Sequence, residues 1–365
     1  MRSRLTQLTE LSAADLDAWR RLAEGAIEPN VFHEPEYVLP LAEELGLAAD
    51  VALMVVEDDG DWHGCLPVHA GRWHRIPARA IGTWRAHPLY SLLGTPLIGA
   101  DRPHDALALI AEEMRGTRRT SFAALEWTSS DGPVAAALAQ LLAGTRPDPV
   151  RYEHFERAAL HRREQDDYIE GLSPKHRREI RRQRRKLGER LGGEPEVVDR
   201  SADEAAADDF IALEAGTKKA TEGTVLAAGR GHAEFFRRMC RELAAQDRLQ
   251  MLSLQVAGRT VAAKCNLIAG DTIFCFKIAY DEEFASLSPG IQLEVEMIKF
   301  FHERSIAKTM DSCAYSGNPM INRLWPDRRA IATWLLPSKG PAGLVVPAMV
   351  KAREIRENRR GGDPA

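Results

Sequence analysis

The chain has 365 residues, 44% of them hydrophobic and 28% charged, with a formal net charge of −4. This composition describes a globular protein of about two domains, and the negative balance argues against a surface that binds nucleic acid throughout. No apolar run approaches the ~18 residues of a membrane helix, and five cysteines without a CxxC pair read as buried thiols, not a disulfide framework.

Polar residues follow Met1-Arg2-Ser3-Arg4 directly, leaving no signal-peptide core, so the expected location is the cytoplasm. Leu11-Ser12-Ala13-Ala14-Asp15 reads as a capping box opening a helix with Leu16, Trp19 and Leu22 on one face. Strands are expected at Val51–Glu57 and His63–Ala70, joined at Asp58-Asp59-Gly60. His63, His69 and His74 lack the spacing of metal ligands, and no metal site is expected. A loop containing Trp84-Arg85-Ala86-His87-Pro88 and Gly94-Thr95-Pro96-Leu97 precedes a helix at Asp105–Arg115 and a strand at Phe122–Trp127.

Between Ser173 and Arg190 nine Lys or Arg face only Glu179 and Glu189, a local charge of +7. Ser173 caps this helix, Pro174 takes its first turn and Gly192-Gly193 stops it. Ile180, Leu187 and Leu191 form a narrow apolar stripe that docks it on the body. Three readings stand for its charge: a solvated connecting helix answering the acidic remainder, recognition of anionic ligand groups by Arg177, Arg181 and Arg184, or contact with an RNA backbone. No aromatic residue is interleaved in the run, which weakens the last.

The second half repeats the order of the first. A second capping box is expected at Arg200–Glu204, opening a helix with Phe210 and Leu213 inward. Strands follow at Leu249–Val256, Val261–Ile268 and Thr272–Ile278, with turns at Gly258 and Gly270-Asp271. Ser288, read as an N-cap, and Pro289 open a helix that runs to about Arg304, and a strand covers Lys308–Ser312. Helix, antiparallel strands, helix, strand, given twice, predicts an α/β (α+β) fold with two mixed, mostly antiparallel sheets flanked by helices. The expected division is 1–160, a connecting basic helix 161–195, 196–340 and a C-terminal tail 341–365, charged, Gly-rich and frayed from Glu354 on. Only the second half has a small-residue helix start after a strand, an arrangement that binds anions. It is therefore the half expected to carry chemistry.

At these residues the chain resembles the GNAT acyltransferase superfamily in its CelD-type, BioF-like branch. The resemblance rests on Phe32-His33-Glu34-Pro35-Glu36-Tyr37, the basic helix, Glu214 with Lys219 and Gly223-Thr224, and Lys277, Tyr280-Asp281, Ser288-Pro289-Gly290 and Asp311. It spans roughly residues 30 to 336 and departs from the branch at Lys218 and Ala220, where Trp and Gly are usual. It implies tandem GNAT-like domains, the second catalytic, transferring an acyl group from acyl-CoA to an amine of a small polar acceptor such as an amino sugar or amino acid. It further implies pantetheine along Phe276, Ile278 and Ala279, with pyrophosphate at Ser288, Pro289, Gly290, Ile291 and Gln292.

Direct attack on a thioester leans on proximity and a general base. Asp311 or Glu214 could be that base, Tyr280 could protonate the thiolate, and Lys277 could bind an anionic group. Lys219, Arg177, Arg181, Tyr315 and Trp325 are the candidate acceptor contacts. The related Fem-type transferases, which use aminoacyl-tRNA, give the alternative donor; the chain lacks their coiled-coil arm. A binding module without chemistry is the second alternative, supported by the change at Lys218.

Overall fold

A computed structural model describes residues 1–72, 79–86, 89–116, 120–163, 171–220 and 223–359, without the side chains of 72, 219 and 354–359. The expected site residue Lys219 therefore has a described backbone only, and His74 lies outside the described residues. The first half carries β1 (Arg2–Gln7), α1 (Ala13–Glu24), α2 (Pro35–Glu44), β2 (Ala52–Asp58), β3 (Asp61–Arg72), β4 (Arg79–Thr83), β5 (Leu97–Ile98), α3 (Pro103–Gly116), β6 (Phe122–Ser129), α4 (Pro133–Leu142) and β7 (Val150–His161). The second half opens with α5 (Pro174–Leu191), β8 (Glu196–Asp199), α6 (Ala206–Ala215), α7 (His232–Ala244), β9 (Leu249–Val256), β10 (Arg259–Ala269) and β11 (Thr272–Tyr280). It closes with α8 (Pro289–Glu303), β12 (Thr309–Asp311), α9 (Pro319–Leu324), β13 (Asp327–Pro337), α10 (Pro341–Leu344) and α11 (Val346–Arg359). No described helix is long and apolar enough to cross a membrane.

Two compact units result: unit 1 is Met1–Pro35, Ala48–Phe155 and Ala330–Ala365, and unit 2 is Glu36–Leu47 and Glu156–Arg329. The division does not follow the midpoint of the sequence. Helix α2 belongs almost wholly to unit 2, where Tyr37 meets Phe235 and Phe276 edge-on, with centroids 5.4 and 6.0 Å away.

In unit 1 the sheet order is β1-β2-β3-β4-β6-β13, antiparallel except for the parallel pair β4–β6. In unit 2 it is β8-β9-β10-β11-β12-β7, antiparallel except for β11–β12. Each parallel pair is joined through a helix, α3 in one and α8 in the other, because parallel neighbours need a crossover. Each unit takes its last strand from the other half of the sequence.

Helix α8 buries Leu293, Met297, Ile298 and Phe301 at helical spacing against Leu254, Val261 and Ile273 of the sheet. The equivalent layer of unit 1 sets Ile110 and Met114 of α3 on Met54, Val56 and Leu125. The capping box at Ser12 forms as expected, with Asp15 N donating to Ser12 Oγ and Ser12 N to Asp15. The second expected box does not. Helix α6 starts at Ala206 with an Ala205 cap, because Asp203 is spent on Arg200 and the Ala205 N–H. Helix α11, with Val346 and Val350 buried, runs to Arg359, and the rest of the stretch read as frayed lies outside the described residues.

Unit 1 holds an acid-sensitive group. His33 is only 3% exposed, and burial lowers its pKa to about 3, a backbone hydrogen bond with Thr95 opposing only in part. Above the ordinary value of 6.5 neither state binds this proton; between 6.5 and about 3 only the unfolded chain does. His33 should therefore remove roughly 1.4 kcal/mol of stability per pH unit as pH falls through that window. Urea titrations at pH 7, 6 and 5 should show a shallower pH dependence for His33→Gln than for the wild type.

Candidate active site

Strand β12 follows β11 for three residues only, Thr272 opposite Thr309, Ile273 opposite Met310 and Phe274 opposite Asp311. Asp311 Oδ1 then accepts the Cys313 N–H at 2.9 Å, an Asx turn that ends the strand. Its other oxygen is held by Arg157 at 2.6 Å and Arg329 at 2.9 Å, and the Ser312 N–H goes to Ala158 of β7. The chain is thus drawn toward β7, and among the described strands β11 from Cys275 to Tyr280 keeps β10 as its paired neighbour while β12 ends at Asp311.

A bulge in the β10–β11 register at Cys265/Asn266 lets consecutive residues of β11 meet one layer. Phe276 stacks on Phe236 of α7 at 6.2 Å, and Lys277 Nζ reaches Glu214 of α6 at 2.7 Å. Ile278 and Tyr280 turn to the other side and flank Gly290, where an added Cβ would meet Tyr280 Cδ1 at 3.5 Å and Ile278 Cδ1 at 3.7 Å. Burial and the Glu282 carboxylate raise the Tyr280 pKa, which keeps its phenol protonated.

Ser288 does not cap α8 as the sequence suggested. Its backbone is left-handed at φ +51°, no side-chain cap bond forms, and its Oγ accepts from Gln183 Nε2 of α5 at 3.2 Å. The first α8 amides are therefore not occupied by their own N-cap side chain, and the positive end of the dipole sits beside the open edge of β11. Gln292 is occupied too, donating to the Ile180 carbonyl of α5 at 3.0 Å. These two bonds fix the basic helix against the α8 N-terminus.

Leu187 of α5 joins the core, with Ile180 and Leu191 packed on it. Arg184 pairs with Glu296 at 3.3 Å. Arg177 is half-buried and Arg181 exposed, so the three expected arginines do not share one environment.

Two expected contacts lie elsewhere. Tyr315 is 66% exposed in a turn. Trp325 is fully buried in the unit 2 core, with the ammonium of Lys264, itself paired to Glu294, 5.5 Å from its ring centre. Apolar burial outweighed the loop character of its neighbourhood. Neither carboxylate offered as a base is at liberty. Glu214 is fully buried and takes both Lys277 Nζ and the Leu226 N–H. Asp311 is equally buried; burial raises its pKa, but Arg157 and Arg329 more than offset it and hold the carboxyl below its ordinary value. The sequence reading missed Arg157 and Arg329, which lie 154 and 18 residues from Asp311.

The family model described as an acetyltransferase (GNAT) domain matches residues 174–316, from the start of α5 to just past β12. That segment, the larger part of unit 2, is the part of the chain that matches a GNAT acetyltransferase domain. Among solved structures it is similar to FemX, at 9% identity and a TM-score of 0.60, covering 95% of this chain and 100% of that one. It is also similar to a conserved protein of unknown function from Bacteroides thetaiotaomicron, at 12% identity and a TM-score of 0.55, covering 90% and 98%. At such identities the likeness is one of fold, and it extends over both units. No curated protein sequence matches the chain.

The corresponding place in unit 1 is filled. There β4 and β6 pair only at Ala80–Gly82 with Phe122–Ala124, and the loop before β5 enters the gap. Gly94 N donates to Trp127 O at 2.9 Å and Ser129 N to Thr95 Oγ1 at 2.9 Å, while Asn30 Nδ2 holds the Thr95 carbonyl at 2.7 Å. Even a Cβ at Gly94 would clash with the Glu126 carbonyl oxygen.

Asp311→Asn separates an anchor from a base. It leaves Arg157, 1% exposed, beside an uncharged amide and should cost about 3–5 kcal/mol. An unchanged urea midpoint would return Asp311 to the list of candidate bases.

Proposed function

We propose that the protein transfers an acyl group from acyl-CoA to an amino group of a small polar acceptor, an amino sugar or amino acid derivative. The observation that carries this reading is the α8 N-terminus, uncapped by its own serine, set where β11 loses its parallel neighbour. Amides of Gly290 and Ile291 suit a pyrophosphate, and the half-buried Arg177 and exposed Arg181 on the docked α5 add positive charge nearby. An amide-bearing pantetheine arm would run along β11 at Phe276, Ile278 and Ala279, beyond the end of its pairing with β12.

In the reaction the amine nitrogen attacks the thioester carbonyl, the C–N bond forms, the C–S bond breaks and the thiolate takes a proton. Tyr280, kept protonated by burial and Glu282, is the phenol we propose for that proton. Lys277, paired with Glu214 at 2.7 Å, can also hold an anionic part of the acceptor. The resemblance to CelD-type enzymes supports a small acceptor, and the filled opening of unit 1 supports a single donor site.

Calorimetry with acetyl-CoA should give one site per chain. Gly290→Ala should leave the fold unchanged or stabilise it by up to about 1 kcal/mol, since the added methyl meets only ordinary contacts. Gly290→Glu should weaken binding at least tenfold by setting a carboxylate against phosphate. Absence of heat and thermal shift with wild type would refute the donor assignment.

Aminoacyl-tRNA is the second reading, supported by the FemX-like fold and by the exposed basic side chains Lys175, Arg178, Arg181 and Lys186 on α5. Binding through about six phosphates should weaken by roughly 10³-fold between 50 and 200 mM salt. We expect weak, undiscriminating tRNA binding. Tight, salt-steep filter binding lost in Arg178→Glu/Arg181→Glu, with amide formed from aminoacyl-tRNA, would overturn the CoA reading.

A further inference from the structure

We propose that His232 is the group that accepts the proton of the attacking amine. The assignment rests on the acyl-transfer reading above and names a residue for it. Its starting point is the engagement of both carboxylates: Glu214 lies between Lys277 and the Leu226 amide, and Asp311 between two guanidinium groups. A base poised to gain a proton must be neutral, or an anion less firmly held.

His232 is the first residue of α7, one turn before Phe235 on the same face of the helix. Phe235 meets Phe276 of β11 at 6.3 Å, next to Lys277, so the imidazole belongs to the layer that covers the open stretch of that strand. The segment before it is shaped around the ring. A Cβ at Gly229 would meet His232 Nε2 at 2.7 Å, so the ring as it stands lies directly against that glycine. Burial, then the Lys277 ammonium, hold its pKa below the ordinary 6.5, and the positive end of α7 acts in the same direction. The ring is neutral at pH 7. Lys277 thereby has a second effect: paired with Glu214 on one side, it keeps His232 deprotonated on the other.

The step balances without any further reactant. His232 takes the amine proton as the C–N bond forms, the C–S bond breaks, and the thiolate is protonated by Tyr280. The proton on His232 then returns through solvent to the phenolate.

Bromoacetyl-CoA tests the placement independently of the unknown acceptor. Its electrophilic carbon sits where the acyl group would, and a neutral imidazole within reach displaces bromide to form an N–CH₂ bond. We expect a stoichiometric adduct on the peptide bearing His232, suppressed by excess acetyl-CoA and absent in His232→Gln. That variant should bind acetyl-CoA with unchanged Kd and melt with the wild type. For any amine the wild type acylates, its kcat should fall by about 10²–10⁴-fold. Acetyl-CoA binding with the adduct on another residue, or with full turnover in His232→Gln, would overturn this assignment alone. No acetyl-CoA binding by wild type would instead remove the donor reading and this assignment with it.

Discussion

A carboxylate with two guanidinium groups on it decides where the second sheet opens. Asp311 ends β12 by accepting the Cys313 amide, and Arg157 and Arg329 draw it toward β7. Burying three charges is costly, and a well-packed apolar trio would often be as stable, so the cluster is poor evidence for stability alone. What it does is geometric. Without it the shortest continuation of β12 would be to run on beside β11 and pair with Cys275 to Tyr280. With it, β12 leaves β11 after Phe274, and the α8 N-terminus lies beside the part of β11 beyond that point.

The two units show how little must change to close such an opening. Both pair their parallel strands over three residues and then let them part. In unit 2 the connection from β11 to α8 is a short turn through residues 281–288, too brief to enter the gap. In unit 1 the chain between β4 and α3 runs through residues 84–102, long enough for Gly94 and Thr95 to take up the β6 backbone groups themselves. A strand edge left open must be satisfied by something. Unit 1 satisfies it from within, with Asn30 bracing the loop at a fully buried position.

Much of this was legible in the sequence because it is local. The α5 start at Ser173-Pro174, the turns at Gly258 and Gly270 with φ +77° and +51°, and the span of α8 all follow from neighbours within a few residues. So does the order of elements. What could not be read depends on distant chain segments. Arg157 gives no local sign that it will meet Asp311, 154 residues away. Ser288 has the composition of a cap, yet α5 packs close enough for Gln183 to claim its hydroxyl. Trp325 follows a polar loop but is buried because unit 2 needs its volume. The exchange of β7 and β13 between the plans is a topological choice that no window of residues encodes.

The basic helix resolves into two faces with different physics. Along one, Ile180, Leu187 and Leu191 pack on the unit 2 core, and Gln183 and the Ile180 carbonyl tie it to α8. Along the other, Arg182 with Glu179 and Arg185 with Glu189 are exposed intrahelical pairs worth a few tenths of a kcal/mol each. Their glutamates are already counted in the helix's +7, which Arg184–Glu296 and Arg190–Glu283 reduce without cancelling. A purely solvated connector would not need its first turns fastened to the helix end where an anion is expected. Fixing a cationic helix beside a positive dipole end is unfavourable in isolation, since like charges are brought together. The arrangement makes electrostatic sense when an anion bridges the two, which is why the charge on α5 and the uncapped start of α8 are best understood as parts of one site.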